Sequence, residues 1–155
     1  MPRQVTPSLV NEILLTADVF LRESQRLFRP HGLTGAQFNV LNTLALGEPE
    51  GLMQRELGEV LVVDRSNVTG LVDRLERLGW VQRQAHPTDR RAHRVSLTKA
   101  GRSLWAEVAP KYADVLQQVA GAVPERRRAV ASKTLAELRE RATTWTLPGA
   151  NSDKA

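Results

Sequence analysis

The stretch Asp64 to Leu78, DRSNVTGLVDRLERL, constrains this chain more than any other. Val68, Leu71, Val72, Leu75 and Leu78 recur at steps of three and four residues, which places them on one stripe of a 3.6-residue helix that must face a core. Asp64 is the expected N-cap, because its carboxylate can accept from the first free backbone N–H groups of the helix. At roughly 100° per residue, Ser66, Gly70, Asp73 and Arg77 project opposite the stripe, flanked by Asn67, Thr69 and Arg74. That face carries hydroxyls, an amide and guanidinium forks, the groups that read base edges or hold phosphates. Periodicity alone fits a solvated amphipathic helix at least as well, so the neighbouring sequence has to decide. Gly70, mid-helix, costs roughly 0.5–1 kcal/mol relative to Ala, and close approach of another backbone is one candidate reason for it.

The residues on either side favour nucleic acid. A short helix over about Met53–Val60, with Leu57 and Val60 inward and Gln54 and Arg55 outward, is followed after Leu61, Val62 and Val63 by the Asp64 helix. Two short helices joined tightly, the second with a polar outer face, form the helix-turn-helix pattern. Trp80–Gln84 and His93–Thr98 then read as two β-prone runs around AHPTDRRA, a turn-rich and cationic tip. A helix-turn-helix with such a hairpin is a winged helix, and an arginine on its tip can enter the narrow minor groove. The alternative for Arg90 and Arg91 is an ordinary solvated loop.

Charge is informative once it is located. The net charge is +5, and residues 64–102 hold nine basic side chains against four acidic ones, so the remainder is balanced. The whole excess therefore sits on the candidate reading helix and hairpin, the footprint expected of a polyanion binder. A chain of 155 residues suits one domain. It has no cysteine, which rules out disulfides, thiolate metal sites and cysteine redox sensing within it. No stretch approaches eighteen consecutive apolar residues and the N-terminus lacks a signal-peptide pattern, so a cytoplasmic protein with no membrane association is expected.

Elsewhere helices dominate. Val10, Ile13, Leu14, Ala17, Phe20, Leu21 and Phe28 mark a long amphipathic helix over about Ser8–Phe28, ending before Arg29-Pro30. Thr34 and Gln37 form a candidate capping box, followed by Phe38, Val40, Leu41, Leu44 and Leu46 in a second helix ending near Gly47; Glu48–Gly51 reads as a polar turn. After Thr98, a candidate N-cap, a fifth helix runs through Leu104, Val108, Tyr112, Val115, Leu116 and Val119 until Gly121. Pro124 suits the first turn of a sixth helix to about Trp145, with Val130, Leu135 and Leu138 on its apolar side. The fold class is thus mainly α with a small β-hairpin wing. Residues 147–155 read as a frayed tail.

ELGEVLVVDRSNVTGLVDRLERLGWVQR, then PTDRRAHRVSLTKAG, closely resembles the winged-helix signature of MarR-type transcriptional regulators. The likeness is specific over roughly Leu33–Gly101 and extends beyond it as a helix pattern. It departs at Met53, where the family often has a Thr or Ser cap, and at Gly58, where it often has Ala. The resemblance implies a single MarR-type domain, with a DNA-binding lobe at 33–99 between dimerisation helices at 8–32 and 100–146. It implies a homodimer whose seam includes Val10, Ile13, Leu14, Ala17, Leu116, Val119, Leu135 and Leu138.

Carried over by position, Arg65, Ser66, Asn67, Thr69 and Arg74 would reach the major groove or its phosphates, with Gln54 beside them. Arg91 would be the minor-groove arginine, oriented by Asp89. Arg90, Arg83 and Arg94 would meet phosphates or stay solvated. Asp73 would repel phosphates unless paired, and Arg77 at i+4 is its expected partner. The partner is then a pseudo-palindromic double-stranded operator, and repression is the implied outcome, with activation open. A small aromatic or phenolic anion is the implied effector, with Phe28, His31, Phe38 and Trp105 as candidate lining; the alternative for each is plain core or surface packing. Isolated His31, His86 and His93 offer no metal-ligand spacing, and no cofactor is expected. Catalysis is not expected: Ser66, His86 and Asp89 lack a nucleophile elbow, and no Gly-rich phosphate loop occurs. The competing classes are a winged helix used for protein contact, which would call for an apolar recognition face and no wing arginines, and DNA binding without a ligand.

Overall fold

Thr34 shows how local chemistry sets the helices. Its hydroxyl accepts from the Gln37 N–H at 3.2 Å while Gln37 Oε1 accepts from the Thr34 N–H at 2.8 Å, so two free helix-end donors are satisfied reciprocally. The computed structural model describes residues 7–61, 65–85 and 93–144. In order these form α1 (Pro7–Phe28), a single 3-10 turn (Arg29–His31), α2 (Gly35–Leu46), β1 (Leu52–Met53), α3 (Gln54–Val60), α4 (Arg65–Arg77), β2 (Val81–Ala85), β3 (His93–Leu97), α5 (Lys99–Gly121) and α6 (Glu125–Thr143). The expected N-cap Asp64 and the hairpin tip lie outside the described residues.

The chain divides into two compact units, Met1–Ala113 and Asp114–Ala155. In the first, Phe28 and Phe38 stack at 4.5 Å between ring centroids, and Tyr112 meets them at 5.4 and 5.1 Å. Leu33, Val40, Leu41, Leu44 and Leu57 extend this core to Val68, Val72 and Leu75 of α4 and to Val81 and Val95 of the strands. Each such side chain contributes about 1.5–3 kcal/mol by leaving water. In the second unit α6 has no buried residue, and Val115, Leu116, Val119, Val130 and Leu135 are exposed. Among the described residues no helix is long and apolar enough to cross a membrane.

The wing is a three-stranded antiparallel sheet in the order β1-β3-β2. This corrects the expected two-stranded hairpin: Leu52 pairs with Val95 and Met53 with Arg94, so the polar turn Glu48–Gly51 leads into a strand. A two-residue strand has no periodicity to read. Gly51, at φ +80°, makes the junction possible, since a Cβ there would lie 2.0 Å from the Val95 carbonyl oxygen. Two further expectations fail, and a third finds no support within the chain. Leu78 falls just past α4 and is 46% exposed, while Val60 is 61% exposed. Each is the last apolar residue of its pattern, at a helix end, and the buried places there go to residues beyond it: Leu61 is 7% and Val81 2% exposed. Gly70 has nothing within 4 Å of where a Cβ would be, so no backbone of the described chain approaches it.

Thr98 caps α5 as expected, its Oγ1 accepting from the Gly101 N–H at 3.0 Å. The same hydroxyl donates to the Gly79 carbonyl at 2.6 Å, tying the hairpin's start to the helix after it. At α3, Met53 offers no side-chain cap, but Glu56 Oε2 accepts from the Met53 N–H at 2.8 Å and supplies half of a capping box.

Candidate nucleic-acid interface

α4 is amphipathic as its sequence requires. Val68, Val72 and Leu75, at i, i+4 and i+7, are at most 3% exposed, and this buried stripe turns the opposite face outward. Asn67, Thr69, Gly70 and Arg74 are exposed on that face. Arg65 and Ser66 form the first residues of the helix. Arg74 and Arg77 stand in its last turn, where a cation is favoured by the helix dipole.

α3 supports this face through side chains. Gln54 Nε2 donates to Thr69 Oγ1 at 2.7 Å, so one expected DNA-contacting residue holds another. Because the Thr69 oxygen already accepts this bond, its own hydrogen is free to donate outward to a phosphate or a base acceptor.

Arg83 of β2 departs from its expected place on phosphates or in solvent. Its guanidinium donates from Nη1 to Glu76 Oε2 and from Nη2 to Asp73 Oδ1, each at 2.5 Å, and Nη2 also lies 3.5 Å from Gln54 Oε1. The Arg83 backbone N–H donates to Glu76 Oε1 at 3.1 Å. Its side chain is only 19% exposed, against 49% for Asp73 and 40% for Glu76. Burial by itself would lower the guanidinium's pKa, but the hydrogen bonds to Asp73 and Glu76 outweigh it and hold the group above its ordinary value. Arg77 is therefore not the partner of the Asp73 carboxylate: its Nε reaches the Asp73 carbonyl at 3.4 Å. A helix-face argument ranks i+4 neighbours first, whereas the planar fork of Arg83 spans two carboxylates at once. Arg94 likewise leaves its expected role, donating from Nη1 to the Gly51 carbonyl at 3.1 Å and fastening β3 to the turn before β1.

The remaining expected positions separate clearly. Asp89, Arg90 and Arg91 lie outside the described residues. On α1, Val10 and Leu14 are 55% and 62% exposed, Ala17 is exposed and Ile13 half-buried. Leu116, Val119 and Leu135 are exposed and Leu138 half-buried. Of the candidate effector residues, Phe28 and Phe38 are closed into the core. Trp105 Nε1 donates to Asn42 Oδ1 at 3.0 Å, and His31 Nδ1 lies 3.2 Å from Glu107 Oε1, with Lys111 Nζ 3.4 Å from its Nε2.

With this geometry in view, the chain is similar in sequence and in fold to transcriptional regulators. The MarR family profile matches residues 31–92. The HTH-type transcriptional regulator TtmR of Methylorubrum extorquens is 32% identical over 160 residues, covering 99% of this chain and 78% of that protein. The chain belongs to the MarR family.

Other transcriptional regulators are similar over shorter stretches. The transcriptional repressor MprA of Escherichia coli is 31% identical over 70% of this chain and 65% of its own length. The transcriptional activatory protein BadR of Rhodopseudomonas palustris is 37% identical over 64% of this chain and 61% of its own. The chain thus spans just under two thirds of both. In fold it is similar to Staphylococcus aureus MepR in a complex with DNA, with a TM-score of 0.79 at 17% identity, covering 86% of this chain and 97% of that one. As a MarR-family transcriptional regulator the chain is a DNA-binding protein and not an enzyme.

Sequence reasoning missed Arg83 as the residue joining the wing to α4. The available signal was two carboxylates three residues apart, Asp73 and Glu76, on a helix otherwise suited to phosphate.

Proposed function

We propose that the chain acts as a homodimer that binds a double-stranded operator of approximate two-fold symmetry and represses transcription from the promoter it overlaps. The observation that carries this is the exposed polar face of α4, with Asn67, Thr69 and Arg74 set opposite a fully buried apolar stripe and beside the wing. MepR, of the same fold, is known in a complex with DNA. Dimerisation is supported by Val10, Leu14, Leu15 and Leu21 on α1, each more than half exposed on one chain, a surface that a second copy would remove from water. Two-fold symmetry then places the paired α4 helices on half-sites about 10 bp apart. The assigned contacts are Arg65, Ser66, Asn67, Thr69 and Arg74 in the major groove, with Arg91 on the wing reaching the minor groove. Gln54 acts through Thr69.

Repression is the sign we assign, from occlusion of a promoter; MprA is described as a repressor and BadR as activatory. Release by a small aromatic anion completes the reading. Trp105 and His31 are the candidate contacts that keep some exposure, Phe28 and Phe38 being closed in the core.

The test is fluorescence anisotropy with the duplex upstream of the protein's own gene and a random duplex of equal length, at low and moderate salt. Sequence-preferring binding that weakens steeply with salt is expected, as counterion release requires, with about a tenfold loss in Arg91→Ala. No binding to either duplex refutes the reading. A fall rather than a rise of the adjacent transcript when the gene is deleted refutes repression. Displacement by a panel of benzoic and phenolic anions tests ligand release.

A further inference from the structure

A helix that reads DNA has a difficulty at Asp73 and Glu76. Thr69, Asp73 and Glu76 follow one another at i, i+4 and i+7 along α4, so two carboxylates border the polar face, each about half exposed. Their charge opposes a polyanion. The structure answers with a single side chain, since the Arg83 fork bridges both carboxylates and touches Gln54, which in turn holds Thr69. One continuous chain of hydrogen bonds thereby runs from Thr69 through Gln54 and Arg83 to Asp73 and Glu76, linking α3, α4 and β2. With Arg77 on the Asp73 carbonyl, the four charges of this cluster sum to zero. Arg83 is mostly buried and both its terminal nitrogens are occupied by carboxylates, which leaves it poorly placed to contact a phosphate itself.

Building on the DNA-binding reading above, we propose that Arg83 is a positioning residue for operator binding: it neutralises Asp73 and Glu76 on the reading face and locks the wing strand to α4, without touching DNA. Affinity then depends on Arg83 only while the two carboxylates are present.

A double-mutant cycle tests this. Operator affinity is measured by anisotropy at low salt for the wild type, Arg83→Ala, Asp73→Asn with Glu76→Gln, and the triple variant, with circular dichroism melting on each. Arg83→Ala is expected to weaken binding at least tenfold in the native background and no more than twofold in the neutralised one. A loss of equal size in both backgrounds overturns the proposal, because Arg83 would then contact DNA or serve the fold alone. No loss in the native background overturns it as well. If Arg83→Ala does not fold, Arg83→Lys takes its place. Its single ammonium can serve one carboxylate at a time, and a loss of about threefold confined to the native background is expected. A wild-type protein that binds no duplex is a different failure: it removes the DNA-binding reading and this inference with it.

Discussion

Gly101→Ala gives the sharpest separation of local preference from tertiary contact. The position is the third residue of α5, where helix propensity favours alanine over glycine by at most about 1 kcal/mol. Yet a Cβ there would stand 1.9 Å from the Trp80 carbonyl oxygen, 2.8 Å from its carbon and 3.1 Å from its Cα. Ordinary contact therefore requires a retreat of roughly 1.5 Å between the start of α5 and the Trp80 backbone. That carbonyl also accepts from the Thr98 N–H at 3.1 Å, so it is held where the methyl group must go. Overpacking of this kind costs about 1–3 kcal/mol, and weakening the Thr98 bond costs about 1 kcal/mol more. After the propensity gain a net loss of about 1–3 kcal/mol remains, a fall in melting temperature of about 3–10 °C for a chain of this size. The assay is thermal unfolding followed by circular dichroism, at one protein concentration because the proposed dimerisation would shift the midpoint. Gly70→Ala is the internal comparison: its Cβ meets nothing within 4 Å, so the same substitution should raise the midpoint by about 1–4 °C. A midpoint for Gly101→Ala that is unchanged or higher would refute the reasoning.

Two further outcomes follow from the same structure. Phe38→Ala removes a fully buried ring from its stack on Phe28 and its edge contact with Tyr112 and should lower unfolding free energy by about 3–5 kcal/mol in urea titration; a loss below about 1 kcal/mol would mean that the aromatic cluster can collapse into the gap. Leu14→Glu places a charge on the exposed apolar face of α1 and should convert a dimer to a monomer in light scattering after size exclusion, whereas an unaltered dimer would move the seam off this face.

The elements legible in the sequence were those whose cause is local. Val68, Val72 and Leu75 announce α4 by spacing alone, and the same spacing leaves Asn67, Thr69 and Arg74 on its outer face. Thr34 with Gln37, and Thr98 before α5, mark helix starts because a cap acts over three residues. What the sequence could not show depended on pairs far apart in the chain. β1 exists only because Leu52 and Met53 meet Val95 and Arg94, and its two residues carry no pattern of their own. Val60 and Leu78 continue an apolar period but stand at helix ends, where the changed backbone path gives the buried places to Leu61 and Val81 instead. Sequence offers Asp73 partners only on its own helix, at i+3 and i+4, whereas its partner is Arg83 from the adjoining strand. Spacing and capping along the chain are thus enough to set the helices, their buried stripes and the polar face of α4 on which the proposed DNA contact rests. Tertiary structure decided how Arg83, Gln54 and Gly101 hold the wing to that face, because close approach and the bridging of two carboxylates arise only when separate elements are brought together.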